Sequence, residues 1–81
     1  RVNAICPGYV DTRWVRSTMN EEAYNEFKRG IIGKSALRRM VSAEDVADMA
    51  TFLILVARNM TGETLILDAG IHLSGSVSVS Q

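Results

Sequence analysis

An α/β fold built on parallel strands is what the sequence predicts, on three observations. Two short apolar segments, Arg1 to Cys6 and Glu63 to Leu67, run into turn signals, Pro7-Gly8 and Asp68-Ala69-Gly70. Between them lie two stretches with helical spacing, the second of them apolar on nearly every side. Strand, helices, strand is one crossover unit of such a sheet.

Arg1 to Cys6 is apolar apart from Arg1 and Asn3 and stops at Pro7-Gly8, which reads as a buried strand entering a loop. Cys6 is expected as a small buried residue before proline rather than a reactive thiol. Asn20 is placed to cap a short amphipathic helix over Glu21 to Arg29. Its apolar Ala23, Tyr24 and Phe27 recur at helical spacing, acidic residues fill the first turn and Gly30 marks the stop. Ser42 precedes Ala43-Glu44-Asp45, a capping box with Asp in place of Glu or Gln, and opens a long helix expected over Ala43 to Arg58. A helix so apolar needs cover on more than one side. Asn59 to Gly62 reads as a turn and Glu63 to Leu67 as the second strand.

Two strands do not complete a sheet buried on both faces, and a chain of 81 residues buries a small share of its surface. The segment is therefore expected to be the end of a larger domain that does not fold stably alone. Residues 1–75 would belong to that domain and 76–81 to a frayed tail.

Composition narrows the function. With 47% hydrophobic and 22% charged residues, and nine Lys+Arg against nine Asp+Glu, the chain reads as globular. It offers no basic field for nucleic acid or an anionic membrane, and neither partner is expected. Its longest apolar run, Met49 to Ala57, is far short of the ~20 residues that span a bilayer. One cysteine has no internal disulfide partner and no companions for a zinc site; a reducing compartment fits, and the cytoplasm is the expected location. The chain opens at Arg1 rather than at Met, which leaves room for a lost targeting segment.

Asn3-Ala4-Ile5-Cys6-Pro7-Gly8 followed by Thr12 resembles the strand-end signature of the short-chain dehydrogenase/reductase family. The resemblance continues through Arg39-Met40, Glu44-Asp45-Val46-Ala47, Phe52-Leu53 and Thr61 to Gly70, in that order and at the family's spacings. It departs from the common pattern at Val41, Ala43 and Ala69, where Gly, Pro and a second Gly are frequent. The resemblance implies the C-terminal part of a Rossmann-type doubly wound parallel sheet, with a lid helix and a long helix between the strands. It also implies an oxidoreductase that transfers a hydride between NAD or NADP and an alcohol or ketone. Pro7 and Gly8 would lie against the nicotinamide, backbone groups at Val10 would bond its carboxamide, and the Thr12 hydroxyl would add a further bond.

Elementary geometry agrees with that placement. Ligands of open α/β sheets bind beyond the carboxyl ends of strands, and a glycine lets backbone pass close to a flat ring. The family's phosphate loop, its Ser and its Tyr-x-x-x-Lys pair lie upstream of this motif and map onto nothing here, so no catalytic residue is assigned. Tyr24 and Lys28 have the bare Tyr-x-x-x-Lys spacing but fall after the Pro-Gly motif, and are not taken as that pair.

Other residues carry bland and sharp readings together. Thr12 either bonds the loop backbone or touches cofactor. Arg13 to Ser35 resembles the segment that covers substrate, where Trp14 either lines the pocket or packs as core; Val15, Met19, Phe27 and Ile31 are expected as core. Gly30 and Gly33 would let such a lid hinge. Lys34, Arg38 and Arg39 read as a solvated face. Asp11 pairs with Arg13 or faces water, and the lone His72 is expected at the surface or near a subunit contact. The resemblance also implies a homodimer or homotetramer formed through the Ala43–Arg58 helix and the Glu63–Leu67 strand. A family member that has lost catalysis and serves as a binding or scaffolding subunit is the competing reading.

Overall fold

The computed structural model describes residues 1–74. The elements are β1 (Ala4–Pro7), β2 (Val10–Asp11), α1 (Arg13–Ser17), α2 (Glu21–Lys34), β3 (Val41–Ser42), α3 (Ala43–Leu55) and β4 (Thr64–Leu67). The 76–81 tail expectation lies outside the described residues.

The two main strands pair in parallel, with Ala4 opposite Thr64 and Pro7 opposite Leu67. The expected crossover unit is therefore present. A second parallel pairing was not legible in the sequence: Val10 lies opposite Val41 and Asp11 opposite Ser42. It ties the chain leaving β1 to the residues that open α3.

Side chains alternate across β1 and β4, as strand geometry requires. Ile5, Leu65 and Leu67 are half-buried, whereas Cys6 and its partner Ile66 are exposed. Packing of α3 against β1 covers one face of the pair and leaves the other bare. The expectation of a buried Cys6 is thus corrected: its thiol lies on the face that no described element covers.

The termini of α3 are set by local chemistry. Ser42 Oγ accepts from Asp45 N at 3.0 Å, and Asp45 Oδ2 accepts from Ser42 N at 2.8 Å, completing the capping box. Hydrogen bonding to the carboxyl from Ser42, its backbone N–H first and its side chain second, holds Asp45 below its ordinary value. At the other end Arg1 donates to the carbonyls of Leu53, Ala57 and Met60 at 2.8, 2.8 and 3.0 Å. A guanidinium thereby satisfies orphan acceptors at the negative end of the helix, which stops at Leu55 rather than running to Arg58.

Helix α2 corrects a second expectation. It begins as read, with Asn20 Oδ1 accepting from Ala23 N at 2.7 Å, but continues through Gly30 and Gly33 to Lys34. Ile31 supplies the reason: it is buried, and its burial offsets the weak helix propensity of the glycines beside it. Both glycines sit inside regular helix rather than at a break in it.

The buried apolar side chains among the described residues are Ile31, Val41, Leu53 and Ala57. Ile54 and Leu55 are about 70% exposed (71% and 69%) and Val56 and Ile66 more than half (60% and 57%). So thin a core does not offset the ordering of the chain. We expect the isolated segment to show no cooperative thermal transition by far-UV circular dichroism; a sharp melt would contradict this. Within the intact protein, Ser42→Ala should lower stability by about 1 kcal/mol in a denaturant titration. Because the folded Asp45 carboxyl titrates below 3.8, its share of the cap is fully present above that pH and is lost as pH falls through the lowered value.

Candidate functional site

Parallel pairing brings the carboxyl ends of β1 and β4 side by side, and the segment from Pro7 to Thr12 emerges there. Gly8 N donates to Leu67 O at 2.9 Å, extending the ladder one step past the strand. A Cβ on Gly8 would lie 2.7 Å from Asp68 Cβ and 3.2 Å from its Cα, closer than atoms tolerate. The glycine is thus required by the neighbouring strand end, whatever lies on its other side. Pro7 and Gly8 are exposed and together offer a flat backbone surface beyond the strands.

The neighbouring strand end is held by its own bonds. Asp68 accepts from Gly70 N at 2.9 Å, from His72 N at 3.0 Å and from His72 Nδ1 at 2.9 Å. Burial pushes this carboxyl up, but the bonds from His72 and Gly70 outweigh it and hold the group below its ordinary value. His72 is exposed at the surface, as expected, and its partner is Asp68. Ala69 adopts φ 56° and Gly70 φ 87°. Buried Ser35 donates to Ala69 O at 2.8 Å and Leu37 N donates to the same carbonyl at 3.0 Å, so the chain leaving α2 is pinned to this turn.

The positions expected to meet a cofactor follow in order. Val10 and Thr12 are half-buried on either side of Asp11. Thr12 is the N-cap of α1, and its Oγ1 accepts from Val15 N at 3.3 Å. The backbone role weighed for it is therefore real, yet the hydroxyl proton meets no acceptor among the described residues. Trp14 is 73% exposed on α1, two residues beyond Thr12, and is not core among the described residues. Lys34, Arg38 and Arg39 are all exposed, in keeping with a solvated face.

Asp11 is the residue that sequence reasoning undervalued. Its oxygens accept from the Tyr24 hydroxyl at 2.8 and 2.9 Å and from Arg16 Nε at 3.2 Å, not from Arg13. Burial pushes the carboxyl up; the bonds from Tyr24 and Arg16, with the charges of Arg16 and Lys28, bring it below its ordinary value. The carboxylate in turn raises the Tyr24 hydroxyl, chiefly through their hydrogen bond. Lys28 Nζ stands 6.0 Å from the Tyr24 ring centroid. A phenol bonded to a carboxylate resists giving up its proton, which agrees with leaving Tyr24 and Lys28 out of any acid/base role. An acidic residue five before an arginine and thirteen before a tyrosine is a spacing no local periodicity flags.

In the intact protein, Gly8→Ala should destabilise by about 1–3 kcal/mol through overpacking against Asp68. Ala69→Gly should stabilise by up to about 1 kcal/mol by relieving left-handed backbone. Denaturant midpoints check both, and equal signs for the two variants would contradict the geometry.

Comparison with known proteins places these features. The family described as "Enoyl-(Acyl carrier protein) reductase" matches residues 1–72. An uncharacterized oxidoreductase of Bacillus subtilis, YxjF, is 36% identical over 85% of this chain and 30% of its own length. The enoyl-[acyl-carrier-protein] reductase [NADH] FabI of Bacillus cereus is 37% identical, over 93% of the chain and 28% of the relative. Among solved structures, the reductase/Diels-Alderase MalC of Malbranchea aurantiaca superposes with TM-score 0.80 at 33% identity, covering 90% of this chain and 27% of that one. A short chain dehydrogenase family protein of Francisella tularensis gives 0.75 at 29% identity, covering 90% and 33%. The chain thus spans about 30% of the curated relatives it matches, and the partial sheet is part of a Rossmann fold. On its ordered motifs, its parallel strands and these matches, the chain belongs to the short-chain dehydrogenase/reductase family of oxidoreductases.

Proposed function

We propose that this chain is the C-terminal portion of an enzyme that transfers a hydride between NAD or NADP and an alcohol or ketone carbon, and that Pro7 to Thr12 orient its nicotinamide. One observation carries the reading. The segment leaves β1 at the carboxyl end of a parallel pair, where open α/β sheets bind ligands, with flat exposed backbone at Pro7-Gly8 and an unused donor at Thr12.

When bound, the dinucleotide supplies the hydride chemistry; the chain's own residues supply position. Pro7 and Gly8 present a surface without a protruding Cβ at Gly8, against which a planar ring can rest. Val10 backbone groups and the Thr12 hydroxyl follow that surface within four residues and are suited to a carboxamide. Fixing one ring face toward the substrate lowers a barrier without acid or base, and proton transfer falls to residues upstream. The residues of this chain therefore fit a nicotinamide. Similarity to the enoyl-[acyl-carrier-protein] reductase [NADH] FabI of Bacillus cereus favours such a cofactor. Similarity to the "Granaticin polyketide synthase putative ketoacyl reductase 2" of Streptomyces violaceoruber and to a tropinone reductase homolog of Arabidopsis thaliana favours a carbonyl substrate.

The remaining assignments follow from exposure and composition. Trp14, exposed on α1, is assigned to the substrate side of the lid. The exposed apolar residues on α3 and β4 are assigned partly to the upstream sheet and partly to a second copy, as in a homodimer or homotetramer. No helix among the described residues is long and apolar enough to cross a membrane, and we assign the enzyme to the cytoplasm.

The test is titration of the intact protein with NADH and NADPH, followed by an assay of dinucleotide oxidation coupled to reduction of ketones and enones. Binding of one dinucleotide and turnover of a carbonyl are expected; absence of binding to both refutes the reading. Thr12→Val should weaken dinucleotide binding by about threefold to tenfold, the worth of one hydrogen bond, while Thr12→Ser restores it. An unchanged affinity in Thr12→Val would remove Thr12 from the site.

A further inference from the structure

Asp11 lies between Val10 and Thr12, yet its carboxylate turns to the lid. Both its oxygens receive the Tyr24 hydroxyl and one receives Arg16 Nε. Arg16 also stands 5.8 Å over the Tyr24 ring, and one turn further along α2 the Phe27 ring meets Tyr9 edge-on with centroids 5.9 Å apart. Tyr9 and Asp11 both belong to the segment between Pro7 and Thr12.

Elsewhere α2 is thinly held. It shares no broad packing face with a strand or with α3. Its C-terminal end is secured by buried Ile31 and by Ser35, bonded to Ala69 O. Its N-terminal half rests on the Asp11–Tyr24 bond and the Tyr9–Phe27 contact. The helix is thus anchored at one end by Ser35 and joined at the other to the segment proposed to hold the cofactor.

We propose that Asp11 is a positioning residue that latches α2 to the cofactor segment through Tyr24, so that seating of the lid and binding of the nicotinamide dinucleotide stabilise one another. The inference rests on the proposed function, since it takes Pro7 to Thr12 as the cofactor segment. Ordering that segment around a ring holds Asp11 where Tyr24 meets it, and a latched α2 holds the segment in its binding form. Coupling of this kind is reciprocal.

The experiment uses the intact protein with NADH, or NADPH where only that form binds. Trypsin cleavage after Lys28 and Arg29 is followed by mass spectrometry with and without dinucleotide, beside a fluorescence titration of affinity. In the wild type the dinucleotide should slow cleavage in α2. Tyr24→Phe, which keeps the ring and loses only the hydroxyl, should abolish that protection and weaken affinity by about threefold to tenfold. Asp11→Asn should do the same, and the double variant should be no weaker than the weaker single one. Protection retained in both single variants, or losses that multiply in the double variant, would overturn the latch while leaving the cofactor site standing. A wild type that binds neither dinucleotide would remove both.

Discussion

The parallel pairing of β1 with β4 is the constraint from which the rest follows. In the observed register both strands end at the same height, Pro7 opposite Leu67. The two following turns must therefore share one small space, and Gly8 is the residue that makes room for Asp68. Each turn is then fixed by its neighbours: Gly8 by the Leu67 carbonyl, Asp68 by the amides it accepts, and Ala69 by Ser35 and Leu37. A flat surface beyond the sheet is the outcome, at the strand ends where open α/β sheets bind ligands.

The same pairing explains why so much apolar surface stays in the open. Only one face of the pair meets α3, so Cys6 and Ile66 face outward, and Ile54 and Leu55 of α3, with Val56 at its cap, stay largely exposed among the described residues. In a doubly wound sheet these groups are interior; the chain holds one crossover of such a sheet and about 30% of its relatives' length. An apolar helix that looks overbuilt for 81 residues is in proportion to a larger body.

Features governed by near neighbours were legible in the sequence. The Ser42 capping box, the Asn20 cap, the turn before Gly62 and the strand-stop at Pro7-Gly8 all depend on residues a few positions apart. What depended on distant partners was not. Arg1 capping the end of α3, the β2–β3 pairing and the Asp11–Tyr24 bond join residues 13 to 59 positions apart, and no spacing rule reaches them. The stop at Gly30 failed for a related reason. Glycine there is a weak local signal, and burial of Ile31 one residue later outweighs it. Cys6 shows the converse: its apolar surroundings in sequence say that its face is meant to be covered, not that this chain supplies the cover.

The short β2–β3 pairing has a bearing on how such enzymes diversify. It clasps the chain where the excursion of residues 12–40 leaves the sheet and where it returns, Val10 beside Val41 and Asp11 beside Ser42. An excursion with both feet joined can lengthen, shorten or be rewritten without moving what lies beneath it. Its closure entropy grows only slowly with its length. Of the residues proposed to meet the cofactor, Pro7, Gly8 and Val10 precede the excursion and Thr12 stands at its foot, while Trp14, proposed to face the substrate, stands on it. Under the proposed function, selection can revise the substrate side on the excursion and leave the seat of the cofactor in place, provided each new excursion again finds a partner for the carboxylate at its foot.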